Sequence, residues 1–246
     1  MGESRHNPDQ LLKAIQADEE NRNKGHLKIF FGYAAGVGKT YAMLEAAHME
    51  KQQGIDVVAG YVEPHACPKT AALLNGLEVL PTREVLYNGM ILNEFDIDMA
   101  LKRKPQLILV DELAHTNAEG CRHAKRYQDI KELLNAGIDV YTTVNVQHIE
   151  SLCDTVASIT EIVVRERIPD SLFDNADQVE LIDIEPQDLI DRLNTGNVYR
   201  QTQAKQSVEN FFTIENLTAL REIALRRCAD RVNIRCWHLM EHWHGP

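Results

Sequence analysis

A glycine-rich segment set between an apolar run and a helix-like stretch constrains this chain more than any other feature. Leu27 to Phe31 is a short apolar run, Gly32-Tyr-Ala-Ala-Gly-Val-Gly-Lys-Thr40 follows it, and Tyr41 to Lys51 reads as a helix. Strand, loop and helix in that order is the context of a phosphate-binding loop, in which backbone N–H groups and a helix N-terminus supply the positive field that phosphates need. Further along, Leu107-Ile-Leu-Val-Asp-Glu112 has the pattern of a buried strand that ends in two carboxylates. The two fragments together predict a site for a nucleoside triphosphate with Mg²⁺.

The chemistry gives each position a task. Gly36 and Gly38 let the backbone curl with no Cβ in the way, so that the amides of residues 36 to 40 turn toward the β-phosphate. Lys39 is the mobile cation for the β- and γ-phosphates. Thr40 offers its hydroxyl to Mg²⁺, and Asp111 holds the metal through its water shell. Glu112 is the candidate general base, provided it emerges on the open side of the sheet. Gly36, Val37, Gly38, Lys39, Thr40 and Tyr41 form the candidate nucleotide-binding set.

One departure stands out. The usual pattern is Gly-x-x-x-x-Gly-Lys-Thr, and counting back from Gly38 puts Tyr33 where the first glycine belongs, with Gly32 one residue early. This predicts a slightly enlarged or differently entered loop. The plainer alternative is a glycine-rich turn and an unrelated apolar strand ending in solvated carboxylates; the strand and helix flanking the loop, and the distant Asp-Glu strand, weigh against it.

With 246 residues, 44% of them hydrophobic, the chain has enough apolar surface for one α/β domain, with or without an appendage. Its longest apolar runs fall far short of the roughly 20 residues a spanning helix needs, and residues 1 to 24 carry acidic side chains in place of the apolar core of a signal peptide. The expectation is a cytoplasmic chain with no membrane segment. The net charge of −11 argues against general nucleic-acid binding, which wants a cationic face. The five cysteines (Cys67, Cys121, Cys153, Cys228 and Cys236) are scattered, with no C-x-x-C pair, and read as reduced thiols.

From residue 27 onward strands and helices alternate. Leu27 to Phe31, Asp56 to Val62, Gln106 to Val110 and Asp139 to Val144 read as strands, with helices near 41 to 52, 68 to 75 and 125 to 136. That alternation predicts an α/β, P-loop NTPase-like fold: a mostly parallel sheet with helices on both faces. Tyr87-Asn-Gly-Met90 predicts a β-hairpin inserted at 84 to 95. Ile162 to Val164 and Val179 to Ile184 look like further short strands. The C-terminal part reads as helical, at Asp188 to Leu193, near Gln203 to Phe212, and along an amphipathic run from Asn216 to Val232. The expected division is a loose arm at 1–24, one domain at 25–233 and a tail at 234–246.

Ligands of parallel sheets gather at the carboxyl ends of strands. Glu63, Pro64 and His65, then His115, Thr116 and Asn117, then Asn145, Gln147 and His148 follow three such ends. Asn145 is the candidate for positioning an attacking water; the alternative is that Asn145 or Thr116 caps the next helix. Arg122-His-Ala-Lys-Arg126 is the densest positive cluster, either an arginine finger or the wet start of a helix. Arg226, Arg227 and Arg231 form a cationic helix terminus that either docks an acidic partner surface or faces solvent. Cys236, His238, His242 and His244 have the composition of metal ligands but no ordinary zinc spacing, and a frayed amphipathic tail with Trp237 and Trp243 fits them better.

Several motifs point to one family. The loop at 32 to 40, Gly-Tyr-Val-Glu-Pro-His at 60 to 65, Leu-Val-Asp-Glu-Leu-Ala-His-Thr-Asn at 109 to 117 and Gly-Ile-Asp-Val-Tyr-Thr-Thr-Val-Asn-Val-Gln-His at 137 to 148 resemble the N-terminal cytoplasmic domain of the bacterial KdpD osmosensitive potassium sensor kinases. Asn210-Phe-Phe212 and Leu217-Thr-Ala-Leu-Arg-Glu-Ile-Ala-Leu-Arg-Arg227 extend the resemblance to about residue 233. It implies an ATP-binding domain, with ATP and Mg²⁺ as cofactors, that modulates a two-component sensor controlling potassium uptake. The implied partners are the sensor-kinase segments and the response regulator. The sequence holds no phosphoacceptor helix or kinase ATP lid, and 234 to 246 departs from the family, so the resemblance does not carry kinase activity onto this chain. A stand-alone or truncated sensor domain, with slow hydrolysis at most, is the expectation.

The rival reading is a small-molecule enzyme. Gly-Lys-Thr followed by an Asp-Glu strand is similar to thymidine kinases and cobalamin adenosyltransferases, with the hairpin and the loop at 115 to 126 as an acceptor pocket. The thymidine kinases' zinc-binding cysteine pairs are missing from the sequence. A scaffold with an inactive site is the third alternative.

Overall fold

The computed structural model describes residues 23–63, 68–87, 89–194 and 211–243, with side chains described as far as Asn233. The expectations for the arm at 1–22, for Pro64, His65, Cys67 and Asn88, for a helix near 203 to 210, and for the side chains of Cys236, Trp237, His238, His242, Trp243 and His244 lie outside the described residues.

Eight described strands are present: β1 (Leu27–Gly32), β2 (Val57–Tyr61), β3 (Glu78–Val79), β4 (Arg83–Tyr87), β5 (Met90–Glu94), β6 (Leu107–Val110), β7 (Asp139–Asn145) and β8 (Gln178–Leu181). Eight described α-helices accompany them: α1 (Lys39–Gln52), α2 (Pro68–Ala72), α3 (Ile97–Arg103), α4 (Arg126–Asn135), α5 (Cys153–Thr160), α6 (Asp170–Asp174), α7 (Pro186–Asn194) and α8 (Ile214–Trp243). Six strands form one sheet in the order β3-β2-β6-β7-β1-β8. Every pairing in it is parallel. β4 and β5 form a separate antiparallel hairpin, with Leu86 opposite Ile91 and Tyr87 opposite Met90.

The central strands are buried on both faces, as parallel strands covered by crossover helices must be. Alternation along β1 sends Ile29 and Phe31 to one core and Phe30 to the other. The Phe30 side is closed by α1, through Met43, Leu44 and Ala47. The opposite side takes Ile97 and Ala100 of α3, Ile130 and Leu133 of α4, Val156 of α5, Leu189 of α7, and Leu217, Leu220 and Ala224 of α8. The mostly parallel sheet, two-sided helices, hairpin and helical C-terminal part agree with the fold class read from the sequence.

Three local expectations need correction. Ile162 to Val164 is not a strand: α5 ends at Thr160, Glu161 takes a left-handed conformation (φ 58°), and the chain leaves as a loop. The strand expected at Val179 to Ile184 is Gln178–Leu181, and its continuation meets β1 through the Ile182 N–H, which donates to the Phe31 carbonyl at 2.7 Å. The helix at 68 to 75 closes at Ala72 and passes into turns.

The arginines of α8 also behave differently from a docking patch. Leu217, Leu220, Ala224, Arg227 and Arg231 continue one buried stripe at helical spacing. Arg227 lies over the Phe173 ring and bonds Asp174 at 2.7 Å, while Arg231 donates to the carbonyls of Phe173 and Ala176. Both bury alkyl stems in the core and place their heads on polar groups of this same domain. Arg226 alone of the three is exposed, paired with Glu222.

Candidate functional site

The loop from Tyr33 to Gly38 leaves the carboxyl end of β1 and turns into α1, which begins at Lys39, two residues before the sequence suggested. Gly36 and Gly38 take positive φ values of 88° and 111°, as a backbone that curls its amides inward requires. Gly32, the early glycine, has a different task. A Cβ there would lie 2.7 Å from Val37 Cγ2 and 3.1 Å from Lys39 Cδ, so only glycine lets the loop fold back over the strand. Tyr33, in the place of the expected glycine, is fully buried and donates its hydroxyl to the Ile184 carbonyl at 3.2 Å. The loop is therefore entered through a buried tyrosine.

Asp111 follows β6 and is fully buried. Thr40 Oγ1 donates to its Oδ2 at 3.0 Å, and Thr143 Oγ1 and the Glu112 N–H donate to its Oδ1, the latter at 3.1 Å. Its carbonyl accepts from Arg126 Nη1 at 3.2 Å. The carboxylate is thus oriented from three sides at the N-terminus of α1. Glu112 turns with φ 60°, unusual for a non-glycine residue, and its side chain reaches the cleft.

Lys39 is buried, with Nζ donating to the Ala34 carbonyl at 3.1 Å. Burial pushes its pKa down to about 8, against the pull of Asp111 and Glu112 in the other direction. A cation held in a desolvated loop with too little negative charge around it is poised for an anion.

These residues open onto a cleft of about 800 Å³ at the carboxyl ends of the strands. Gly36, Val37, Gly38, Lys39, Thr40, Tyr41, Glu112 and Asn145 all line it, together with Gln147, His148, Glu166 and Arg192. Asp111 closes its inner side through Thr40 and Thr143. Asn145 Oδ1 and Gln147 Oε1 are buried with no hydrogen-bond partner among the described residues, an arrangement that costs free energy unless a ligand or its water supplies the partner. Asn145 precedes a 3₁₀ turn but makes no side-chain cap there, so the capping alternative does not account for it.

Other residues past the strand ends divide. His115 lines the cleft, with Nε2 3.1 Å from Glu94 and Nδ1 4.0 Å from Glu112. His148 lines it too, its Nδ1 2.8 Å from the Glu166 carbonyl and its pKa lowered by burial. Thr116 accepts from Lys125 Nζ, and Asn117 donates to Asp129 and to the His123 carbonyl, so both serve the loop beyond the site. Glu63 accepts from the Tyr61 hydroxyl.

The arginine finger is overturned for this chain's own site. Arg126 is fully buried, stacked 4.3 Å over the Tyr61 ring and bonded to Glu94, Asn117 and the Asp111 carbonyl. Arg122 pairs with Asp98 and Glu132. Burial by itself would raise the Glu94 pKa; the bonds from His115 and the Ala118 N–H, with the Arg126 charge, hold it below the ordinary value. Sequence reasoning missed this network, and missed Thr143, Glu166 and Arg192. For Thr143 a signal existed: two threonines interrupt an otherwise apolar central strand.

Residues 23–232 match the family model described as the osmosensitive K⁺ channel His kinase sensor domain. Sensor protein KdpD of Clostridium acetobutylicum is 62% identical over 229 residues, covering 93% of this chain and 25% of that protein. Sensor protein KdpD of Escherichia coli is 55% identical over 235 residues, 95% of this chain and 26% of that protein. Sensor protein KdpD of Mycobacterium tuberculosis is 52% identical over 208 residues, 85% of this chain and 24% of that protein. The chain spans about a quarter of the length of these curated relatives. No described helix is long and apolar enough to cross a membrane. A match over nearly the whole chain, at such identity, makes this protein a member of the KdpD osmosensitive K⁺ channel His kinase sensor domain family.

Proposed function

We propose that this chain is a cytoplasmic, ATP-binding regulatory module that acts on the sensor kinase or response regulator of a two-component system controlling potassium uptake. The observation that carries the reading is the Thr40–Asp111 hydrogen bond of 3.0 Å at the mouth of the glycine loop. It brings together the end of the glycine loop and the Asp-Glu strand end, two segments far apart in the chain whose side chains suit a phosphate and a metal.

The residues fit Mg²⁺-ATP. The amides from Gly36 to Thr40 and the charge on Lys39 would bind the phosphates, and the Thr40 hydroxyl and the Asp111 carboxylate would hold Mg²⁺. When bound, the metal neutralises the phosphate oxygens. Glu112 would be the base for a water whose other proton the Asn145 carbonyl oxygen accepts, an atom with no hydrogen-bond partner among the described residues. Glu112 lies 4.0 Å from His115 of the same loop, and His115 lies 3.9 Å from Glu166.

Nucleotide can act on a partner only by favouring one conformation over another. Affinity of the cognate response regulator, and of the remaining sensor-kinase segments, is to be measured with and without Mg²⁺-ATP for the parent and Lys39→Ala. The reading expects at least one partner to respond to nucleotide in the parent alone; equal affinities throughout contradict it.

A further inference from the structure

The sheet order puts β7 on one side of β1 and β8 on the other. Thr40, Asp111, Glu112 and Asn145 belong to the β6 and β7 side of the loop, where the reacting end of a triphosphate is expected. The α-phosphate and nucleoside of the same molecule then lead across the loop toward β8. On that flank stand Ile182, just past β8, and Arg192 of α7, both lining the cleft. Ile182 Cγ2 and Arg192 Nη1 each lie 4.0 Å from the point a Cβ on Gly38 would occupy. Arg192 Nη1 is 3.5 Å from the Val37 carbonyl.

The flank is fixed to the loop. Ile182 N–H donates to the Phe31 carbonyl at 2.7 Å, and the Tyr33 hydroxyl holds the Ile184 carbonyl at 3.2 Å. Leu189 of α7 is fully buried. From the outer side Arg221 of α8 pairs with Asp183 and Glu185 at 2.7 Å each. The tyrosine that replaces the expected glycine therefore ties this wall to the phosphate loop.

We propose that Ile182 and Arg192 form the nucleoside side of the site, a planar base packing against the Ile182 alkyl group and the face of the Arg192 guanidinium. A guanidinium stacks on aromatic faces as an ammonium does not, and an apolar wall with one oriented charge is the usual composition of a small-ligand pocket. The assignment rests on the ATP-binding reading above and adds which residues hold the part of the ligand that carries no phosphate.

Calorimetric titration with Mg²⁺-ATP and with Mg²⁺-tripolyphosphate separates the two claims. The parent should bind ATP more tightly than tripolyphosphate. Arg192→Lys, which keeps the charge but loses the stacking plane, and Ile182→Ala, each melting cooperatively, should each weaken ATP several-fold, while tripolyphosphate affinity stays within about twofold. Equal losses for both ligands would mean that the wall only supports the loop, and unchanged ATP affinity in both variants would mean that the base lies elsewhere; either overturns the assignment. A parent that binds tripolyphosphate and ATP equally overturns it while leaving the phosphate site intact, whereas a parent that binds neither contradicts the ATP-binding reading itself.

Discussion

Thr40 Oγ1 and Asp111 Oδ2 meet at 3.0 Å, although 71 positions separate them in the chain. The contact exists because β1 and β6 flank β7 in one parallel sheet and so release the glycine loop and the Asp-Glu pair at the same edge. It is a hydrogen bond between groups that also suit a metal, which makes the two carboxylates separable by experiment. Asp111→Asn should make nucleotide binding much less dependent on Mg²⁺, whereas Glu112→Gln should bind Mg²⁺-ATP like the parent and lower any hydrolysis by about 10²-fold or more. Hydrolysis at the parent rate by Glu112→Gln, in a matched assay, removes Glu112 as a base.

Lys39 should make nucleotide affinity pH-dependent in a defined direction. Its pKa in the free protein is lowered by burial from 10.5 to about 8, and bound phosphate favours the charged form. Above pH about 8, binding must then take up a proton, so affinity should fall by up to about tenfold per pH unit; below it Lys39 adds no dependence. The unliganded fold moves the other way. Between the native value and 10.5 the unfolded chain holds more protons, so the Lys39 contribution to stability rises with pH across that window. Calorimetry at pH 7.5 and 9.5, in buffers of different ionisation enthalpy, reads both the affinity and the proton count. A flat affinity with no proton uptake contradicts the assignment.

Arg126 should matter for stability more than for phosphate chemistry. Removing it leaves Glu94 buried with only His115 and the Ala118 N–H of its three partners among the described residues, and strips the Asp111 carbonyl of a donor. Arg126→Ala is therefore expected to destabilise by about 3–5 kcal/mol, the range for breaking a buried ion pair. Chemical denaturation measures this directly. A loss below about 1 kcal/mol would show that the network is not holding the hairpin stem and the Asp-Glu strand together.

Much of this architecture was legible because its signals are local. The apolar runs of β1, β2, β6 and β7 separated by helical stretches dictate a parallel sheet, and the Tyr87-Asn-Gly-Met90 turn dictates the hairpin. Helix α3 was missed although Asp96 caps it, accepting from the Met99 N–H at 3.0 Å; at seven residues, following directly on the hairpin, it offers too little periodicity to stand out. At the cleft, the loop residues and the Asp-Glu pair could be picked out from sequence because glycines, a lysine, a hydroxyl and carboxylates in that context suit a phosphate and a metal, and the structure brings them together there. Arg126 and Arg227 could not be placed, since charge alone does not reveal that an arginine stem is buried and its head paired within the same domain. The α8 stripe held the clue: Arg227 and Arg231 fall on the same face as Leu217, Leu220 and Ala224.

The most direct test of the central claim is calorimetric titration of Mg²⁺-ATP into the parent and into Lys39→Ala. The ammonium group stands at the start of α1 and, among the described residues, its hydrogen bond goes to the Ala34 carbonyl, so its removal should leave a cooperative melt. The account predicts saturable binding by the parent and a loss of about 10²-fold or more in the variant, from removal of a desolvated charge on phosphate. Equal affinity in the two proteins, with both folded, would contradict the assignment of this cleft as an ATP site.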